Sequence, residues 1–221
     1  MLRGLFFDLD GTLIDREAAF SRYLDGLTRR FPFVLGDPSA RRALALLDQG
    51  GLASRPEFCA AVVQRFPGLC MDVSDFWADF GEGLVAAVGP APPRLLELLA
   101  CVAPRYKLAV VSNGGGPRQR TKLDRAGLAR LFEQVFVSGE LGWHKPDPRI
   151  FEHALAEAGL QATEVLFVGD DPARDIAGAA AVGMATCWIS RGRPYPPGLL
   201  APSRTAGTVE ELLVSLLGAG T

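Results

Sequence analysis

Carboxylates stand out among the polar residues that directly follow the short apolar runs of the chain. Asp8 and Asp10 follow the first run, and Asp170 follows the fourth. In an open parallel sheet, ligands bind beyond the carboxyl ends of the strands, so these side chains would meet at one edge. Converging carboxylates repel one another and raise one another's pKa unless a cation neutralises them. Oxygen ligands without sulfur or imidazole favour Mg²⁺, which proteins hold with one or two carboxylates plus water and substrate phosphate.

Groups that suit a phosphate follow the other runs. The second run is followed by Ser112, Asn113 and the glycine-rich turn 114–116, whose backbone N–H groups could hold an anion. Thr12 adds a hydroxyl, and Lys145, a short loop after the third run, adds a positive charge. Together these residues predict a magnesium-assisted site for a phosphate group.

Short apolar runs predict the strands that must position these residues. Continuous rather than alternating hydrophobicity is typical of strands covered on both faces. The runs are Leu5–Phe7, Leu108–Val111, Val135–Val137, Val165–Val168 and Ala185–Ile189. Helical patterns follow from the second run onward, near 118–130, 149–159, 173–182 and 208–217, and residues 191–207 are expected to form an irregular connection. The alternation predicts an α/β fold, a Rossmann-like parallel sheet with helices on both faces.

The interval between the first two runs is far longer than one crossover helix requires. Aromatic and aliphatic residues recur there at helical spacing, for example Phe20, Phe58, Val73 and Phe80. We interpret these stripes as a packed helical core rather than a cofactor site. The pattern predicts a helical cap domain at 16–88, inserted into a Rossmann-like core of residues 1–15 and 89–221. We expect the cap to close over the sheet edge and to select among leaving groups.

Composition disfavours several classes of partner. The 23 basic and 25 acidic residues give a net charge of −2, whereas nucleic-acid binding usually draws on a clear basic excess. No apolar run approaches the roughly 20 residues that span a bilayer, and Asp8 and Asp10 interrupt the first run too early for a signal peptide. The four cysteines lack metal-ligand spacing and are typical of a reducing compartment. We expect a cytoplasmic protein without nucleic-acid or membrane partners.

Four ordered segments resemble the motifs of the haloacid dehalogenase-like (HAD) hydrolase superfamily. They are Phe7–Leu13, Ser112–Gly114, Lys145–Pro148, and Gly169–Asp171 with Asp175 further on. The resemblance spans residue 5 to about residue 190, and the insertion between the first two motifs matches the helical cap of the capped phosphatases. Each motif alone is weakly specific, but all four in this order and spacing are strongly so.

The resemblance implies a catalytic role for three side chains. Asp8 would be the nucleophile that attacks phosphorus and forms an aspartyl-phosphate. Asp10 would be the general acid and base, which protonates the leaving oxygen and then activates water. Lys145 would balance the charge on Asp8 and on the phosphoryl group.

The same resemblance implies binding and supporting roles. The phosphate would contact Thr12, Ser112, Asn113 and Gly114, and Mg²⁺ would be held by Asp8, by the backbone carbonyl of Asp10 and by Asp170. Asp171 stands before a proline in the same way as Asp147, so we expect both to cap helices, with Asp171 also near the outer shell of the metal. Asp175 would support Lys145 or a metal-bound water.

These residues favour a magnesium-dependent phosphatase acting on a small phosphorylated metabolite, with its oligomeric state left open. The dehalogenase branch lacks the second aspartate of the first motif, so Asp10 argues against dehalogenation. A phosphomutase with the same core chemistry and a non-catalytic metabolite-binding module are the alternatives. A Rossmann dinucleotide enzyme is disfavoured because the first strand is followed by Asp8-Leu9-Asp10-Gly11-Thr12 and not by G-x-G-x-x-G.

Overall fold

One parallel sheet organises the larger part of the protein in a computed structural model that describes residues 1–51 and 53–218. The strands are β1 Gly4–Phe7, β2 Lys107–Ser112, β3 Gln134–Val137, β4 Val165–Gly169, β5 Ala185–Ile189 and β6 Arg204–Ala206. Their order across the sheet is β3-β2-β1-β4-β5-β6, and every neighbouring pair is parallel. This is the strand order of a Rossmann-like fold, so the predicted α/β class is confirmed.

The central strand β1 aligns the carboxyl ends of its two neighbours. Phe7, its last residue, lies level with Val110 of β2 and Val168 of β4. The backbone N–H of Asp8 then donates to the carbonyl of Val168 at 2.9 Å. The strand order reverses direction between β1 and β4, and that switch point is where ligands bind in open α/β sheets.

The sheet has one strand more than the apolar runs predict. Residues 204–206 lie in the segment predicted to be irregular, but they form β6, which pairs with β5 at the edge of the sheet. The strand is short, and Arg204 and Thr205 are exposed. An edge strand of this kind buries no continuous apolar run, so hydrophobicity alone does not reveal it.

The chain separates into two compact units, Met1–Ile14 with Pro90–Thr221 (the sheet unit) and Asp15–Gly89 (the inserted unit). The inserted unit extends one residue beyond the predicted 16–88 at each end. Its helices are α1 Arg16–Arg30, α2 Pro32–Leu35, α3 Pro38–Asp48, α4 Arg55–Arg65 and α5 Val73–Ala86. The longer four begin after a residue whose side chain accepts a backbone N–H, namely Asp15, Asp37, Ser54 and Asp72.

Aromatic side chains form the core of the inserted unit. Phe20, Phe58, Phe76 and Phe80 are buried, and the ring centroids of Phe58 and Phe80 lie 4.8 Å apart. The stripes therefore pack against one another, as predicted. Val73 is the exception, with 41% of its surface exposed, because it is the first residue of α5.

Helices of the sheet unit cover the sheet. They are α6 Pro93–Val102, α7 Gly116–Arg125, α8 Ser138–Leu141, α9 Pro148–Ala158, α10 Gly178–Ala181 and α11 Val209–Gly218, with a π-helical turn at Pro172–Ala177 before α10. On one face, Phe6 and Phe167 pack with Phe151 of α9 in a buried cluster. The helix predicted at 118–130 ends at Arg125, because Gly127 has a φ of 73° that an α-helix does not accommodate. No helix among the described residues is long and apolar enough to cross a membrane.

Candidate active site

Lys145 is the centre of the candidate site. Its Nζ donates to Asp8 Oδ1 at 2.7 Å and to Asp175 Oδ1 at 2.8 Å. All three side chains are buried. Asp8 directly follows β1, Lys145 lies in the loop before α9, and Asp175 lies in the π-helical turn. Three separate elements thus bring together two carboxylates and one ammonium group.

Asp170 joins this group from the residue after β4. Asp8, Asp170 and Asp175 each present a carboxylate oxygen within 4.8 Å of the other two. Both oxygens of Asp175 accept hydrogen bonds, one from Lys145 Nζ and one from the backbone N–H of Asp171 at 3.0 Å. Asp8 and Asp170 are therefore the better candidate ligands, and Asp175 holds the lysine. Two carboxylates with no sulfur or imidazole are a donor set that fits Mg²⁺.

Burial dominates the electrostatics of this cluster. Burial raises the pKa of Asp8 well above its ordinary value, although the charge of Lys145 opposes the rise. Burial, followed by the charge of Asp175, raises the pKa of Asp170 to about 6, and Arg193 opposes it. Burial alone would lower the pKa of Lys145, but Asp175 and Asp8 together outweigh it and raise that pKa. Lys145 and Arg193 supply two positive charges against three carboxylates, and a divalent cation would neutralise the excess negative charge.

Asp147 and Asp171 both cap helical segments, as their positions before proline predict. Asp171 Oδ1 accepts from the backbone N–H groups of Ala173 and Arg174, each at 2.9 Å. Asp147 Oδ1 accepts from the backbone N–H of Arg149 at 3.0 Å. Asp171 therefore fixes the start of the turn that carries Asp175.

Thr12 presents a buried hydroxyl with an unused hydrogen-bonding capacity. In residues 1–51 and 53–218, its Oγ1 is the one buried side-chain nitrogen or oxygen without a hydrogen-bond partner. A buried polar atom left unpaired costs roughly 1–3 kcal/mol, so such an atom points to a ligand. The turn that carries it passes close to Asp170. Gly11 has a φ of 92°, and a Cβ there would lie 2.7 Å from the Asp170 carboxylate, so a side chain at this position would be excluded.

The segment after β2 is engaged mainly within the protein. Asn113 Oδ1 accepts from the backbone N–H of Lys145 at 2.8 Å, and Asn113 Nδ2 donates to the Lys145 carbonyl at 3.0 Å. The backbone N–H of Gly114 donates to Ser138 Oγ at 3.0 Å. These contacts differ from the phosphate contacts expected for Asn113 and Gly114. The side-chain amide of Asn113 and the backbone N–H of Gly114 thus have internal partners and help to build the loop that carries the lysine, and a phosphate contact of either residue stays a prediction.

Asp10 lies with a pair of polar residues that the sequence analysis missed. Its Oδ2 accepts from Lys122 Nζ at 2.5 Å and from Gln119 Nε2 at 2.9 Å. Gln119 Nε2 also donates to Ser112 Oγ at 2.7 Å. The carboxylate of Asp10 is therefore held by two side chains of α7. A sequence signal was available, since Gln119 and Lys122 are three residues apart and so share one face of α7.

Asp170 also has partners that the sequence analysis missed. An Arg193 guanidinium nitrogen lies 3.1 Å from Asp170 Oδ2 and 3.1 Å from its carbonyl oxygen, to both of which it donates. Trp188 Nε1 donates to the same carbonyl at 3.0 Å. Arg193 lies in the segment predicted to be irregular, and no sequence pattern distinguishes it from a surface arginine. Both residues hold Asp170 at the end of β4.

The protein is an α/β protein with a Rossmann-like parallel sheet, a buried acidic cluster at the carboxyl edge of that sheet and a helical insertion after β1. The chain matches the family model of the haloacid dehalogenase-like hydrolases over residues 2–183. It therefore belongs to that family.

Relatives of the chain carry phosphatase names. It is 41% identical over 109 residues to a phosphoserine phosphatase of Thermus thermophilus, an alignment covering 49% of this chain and 43% of the relative. The chain thus spans less than half of that relative's length. It is 28% identical over 202 residues to a glyceraldehyde 3-phosphate phosphatase of Pyrococcus abyssi, covering 87% of this chain and 83% of the relative. The HAD-hydrolase YfnB from Bacillus subtilis, solved with bound magnesium, superposes with a TM-score of 0.85 at 24% identity and covers 97% of this chain and 98% of its own, which shows the shared fold.

Proposed function

We propose that this protein is a magnesium-dependent phosphatase that hydrolyses a small phosphorylated metabolite through an aspartyl-phosphate intermediate. The observation that carries the proposal is the buried ammonium of Lys145 between Asp8 and Asp175, beside Asp170. The group stands at the carboxyl edge of the sheet, where the fold binds ligands. A nucleophile, its counter-charge and a candidate cation site are thus within reach of one phosphoryl group.

Asp8 and Asp10 divide the chemistry between them. In the first step an oxygen of Asp8 bonds to phosphorus, the bond from phosphorus to the leaving oxygen breaks, and Asp10 gives that oxygen a proton. In the second step Asp10 takes a proton from water as the water oxygen bonds to phosphorus. The bond from phosphorus to Asp8 then breaks, and inorganic phosphate leaves. Lys145 stabilises the carboxylate of Asp8 before and after each transfer.

The remaining groups position the phosphoryl group. The unpartnered hydroxyl of Thr12 would donate to a phosphate oxygen. Asp8, Asp170 and the backbone carbonyl of Asp10 would hold Mg²⁺. The ion would neutralise charge on the oxygens of the phosphoryl group during its transfer. Phosphoryl transfer depends mainly on such positioning and charge neutralisation.

The relatives support a phosphate monoester as the substrate class. The phosphoserine and glyceraldehyde 3-phosphate phosphatases are both named for small phosphate esters. Their alcohol portions differ, so the shared chemistry is the phosphoryl group and not the leaving group. We therefore propose the class of substrate without choosing one ester.

A panel of phosphate esters tests the proposal. Phosphoserine, glyceraldehyde 3-phosphate, phosphoglycolate, sugar phosphates and nucleoside monophosphates are incubated with the enzyme, and released phosphate is measured with Mg²⁺ and with excess chelator. We expect at least one ester to be hydrolysed with Mg²⁺ and none with chelator. Acid-quenched enzyme should carry a phosphate adduct on the peptide that contains Asp8.

Two variants control the panel. Asp8→Asn should abolish turnover, because an amide is a poor nucleophile, whereas Asp124→Asn makes the same change on the exposed side of α7 and should leave turnover unchanged. Failure of every ester in the panel would contradict the proposed phosphatase function. Undiminished turnover in chelator would contradict the metal dependence.

A further inference from the structure

The inward face of α7 carries two polar side chains that the proposed mechanism does not use. Gln119 is 2% exposed and Lys122 is 4% exposed. Burying an amide and an ammonium costs free energy unless they are paired. Both are paired with the same atom, Oδ2 of Asp10, at 2.9 and 2.5 Å. The arrangement is a two-point clamp on the carboxylate proposed to move protons.

Lysine is rare in this chain, which makes its placement informative. Of the 23 basic residues only three are lysines, Lys107, Lys122 and Lys145. Two of the three are buried against carboxylates at the carboxyl edge of the sheet. A lysine presents a compact point charge, whereas an arginine presents a broad planar fork. Almost all of the other basic residues are arginines. The lysine at position 122 therefore indicates that this position favours a compact cation.

Gln119 links the clamp to the loop after β2. Its Nε2 donates to Ser112 Oγ at 2.7 Å as well as to Asp10, and it lies 3.3 Å from the carbonyl oxygen of Asn113. Gly114 leaves room for this amide, because a Cβ at its φ of 145° would lie 3.0 Å from the Gln119 side chain. Asp10 is therefore fixed relative to the same loop that holds Lys145.

We propose that Gln119 and Lys122 are positioning residues that hold Asp10 for proton transfer to the leaving oxygen. The inference rests on the proposed phosphatase function and extends it to two residues outside the four motifs. Neither side chain needs to touch the substrate, since each acts through Asp10. Their loss should therefore matter most for substrates whose leaving oxygen needs a proton.

Leaving groups of different basicity test this role. Phenyl phosphate releases a basic oxygen that needs a proton, whereas 2,4-dinitrophenyl phosphate releases a stable anion that does not. Release of the phenol is followed in a single turnover with enzyme in excess and Mg²⁺ present. The variants are Lys122→Met and Gln119→Met. Lys107→Met is the matched control, because Lys107 lies at the amino end of β2 and donates to the Ala158 carbonyl.

We expect Lys122→Met and Gln119→Met to slow phenol release from phenyl phosphate by about 10- to 100-fold, since misplacement of a catalytic group by about 1 Å can cost this much. Release from 2,4-dinitrophenyl phosphate should change by less than about 3-fold. Steady-state phosphate production should fall with both esters, because the same Asp10 activates water. Lys107→Met should match the wild type with both esters.

A purely structural role for α7 would give a different result. Partial unfolding would lower the rates with both esters by the same factor, and equal factors would overturn the inference while leaving the phosphatase proposal intact. If Lys122→Met does not fold, as judged by circular dichroism, the comparison of the two esters is made with Gln119→Met, which does not change the charge of the protein. A wild-type enzyme that cleaves neither of these esters nor any ester of the panel would overturn the proposed function and this inference with it.

Discussion

Asn113 holds the main chain of Lys145 at both of its polar groups. The Lys145 N–H donates to Asn113 Oδ1 at 2.8 Å, and Asn113 Nδ2 donates to the Lys145 carbonyl at 3.0 Å. The two residues lie 32 positions apart, one after β2 and the other before α9. The position of the buried ammonium depends on these two hydrogen bonds.

Removing the Asn113 amide should therefore impair catalysis through Lys145. We expect Asn113→Leu to lower kcat by about 10- to 100-fold with a smaller effect on KM, because the ammonium loses its fixed position against Asp8. Gln134→Met is the matched control, since the Gln134 amide also binds a backbone carbonyl, that of Glu157, away from the site. Steady-state kinetics of both variants check the prediction. An Asn113→Leu enzyme with wild-type kcat would contradict it.

Lys145 should have opposite effects on catalysis and on metal binding. In the proposed mechanism, its ammonium would oppose the binding of a cation by Asp8 and Asp170 but would neutralise the phosphoryl group during transfer. At pH 8 we expect Lys145→Met to bind Mg²⁺ about tenfold more tightly, equivalent to about 1.4 kcal/mol, and to lose phosphatase activity. Titration calorimetry measures the affinity, with Lys107→Met as the control. Weaker Mg²⁺ binding by a folded Lys145→Met protein would contradict this prediction.

Asp8 should be unfavourable for stability although the proposed mechanism requires it. Burial raises its pKa above the unfolded value, so the folded state binds more protons and its stability falls as the pH rises above about 4. In chelator at pH 7, Asp8→Asn should therefore raise the free energy of unfolding, while activity falls by about 1000-fold or more. The two proteins should converge in stability towards pH 4. Denaturant unfolding at several pH values measures the difference, and a less stable Asp8→Asn protein at pH 7 would refute the argument.

The sequence predicted the parts of the molecule that depend on local pattern. Continuous apolar runs located β1 to β5, because both faces of these strands are buried. Asp8 and Asp170 could be placed at one edge because each follows such a run and parallel strands end together. Apolar stripes at helical spacing, which include Phe20, Phe58 and Phe80, located the core of the inserted unit, because these side chains are buried.

Contacts between distant segments could not be predicted in this way. Lys122 and Asp10 lie 112 positions apart, and their contact depends on how α7 is placed against the turn that follows β1. The amide of Asn113 was expected at the phosphate, but its choice of partner depends on the path of the loop that carries Lys145. The edge strand β6 was missed because its stability comes from pairing with β5 and not from an apolar run. Each of these features is set by tertiary packing.

Two buried threonines should respond in opposite ways to the same substitution. Thr12 Oγ1 has no hydrogen-bond partner among the described residues, whereas Thr186 Oγ1 accepts from the backbone N–H of Ser203 at 3.2 Å. Thr12→Val should therefore leave stability unchanged or raise it by up to about 1 kcal/mol, while Thr186→Val should lower it by about 1 kcal/mol. Denaturant unfolding in the absence of phosphate measures both effects.

The same two threonine variants distinguish an effect on phosphate binding from an effect on stability. A hydrogen bond to a charged group contributes about 1.5–3 kcal/mol, so Thr12→Val should raise the inhibition constant of inorganic phosphate by about tenfold or more. Thr186→Val should leave that constant unchanged, and Thr12→Ser, which keeps the hydroxyl, should restore most of the affinity. Wild-type inhibition of Thr12→Val by phosphate would show that the hydroxyl does not contact the anion. The unpaired oxygen of Thr12 would then lower the stability of the protein without increasing its affinity for phosphate.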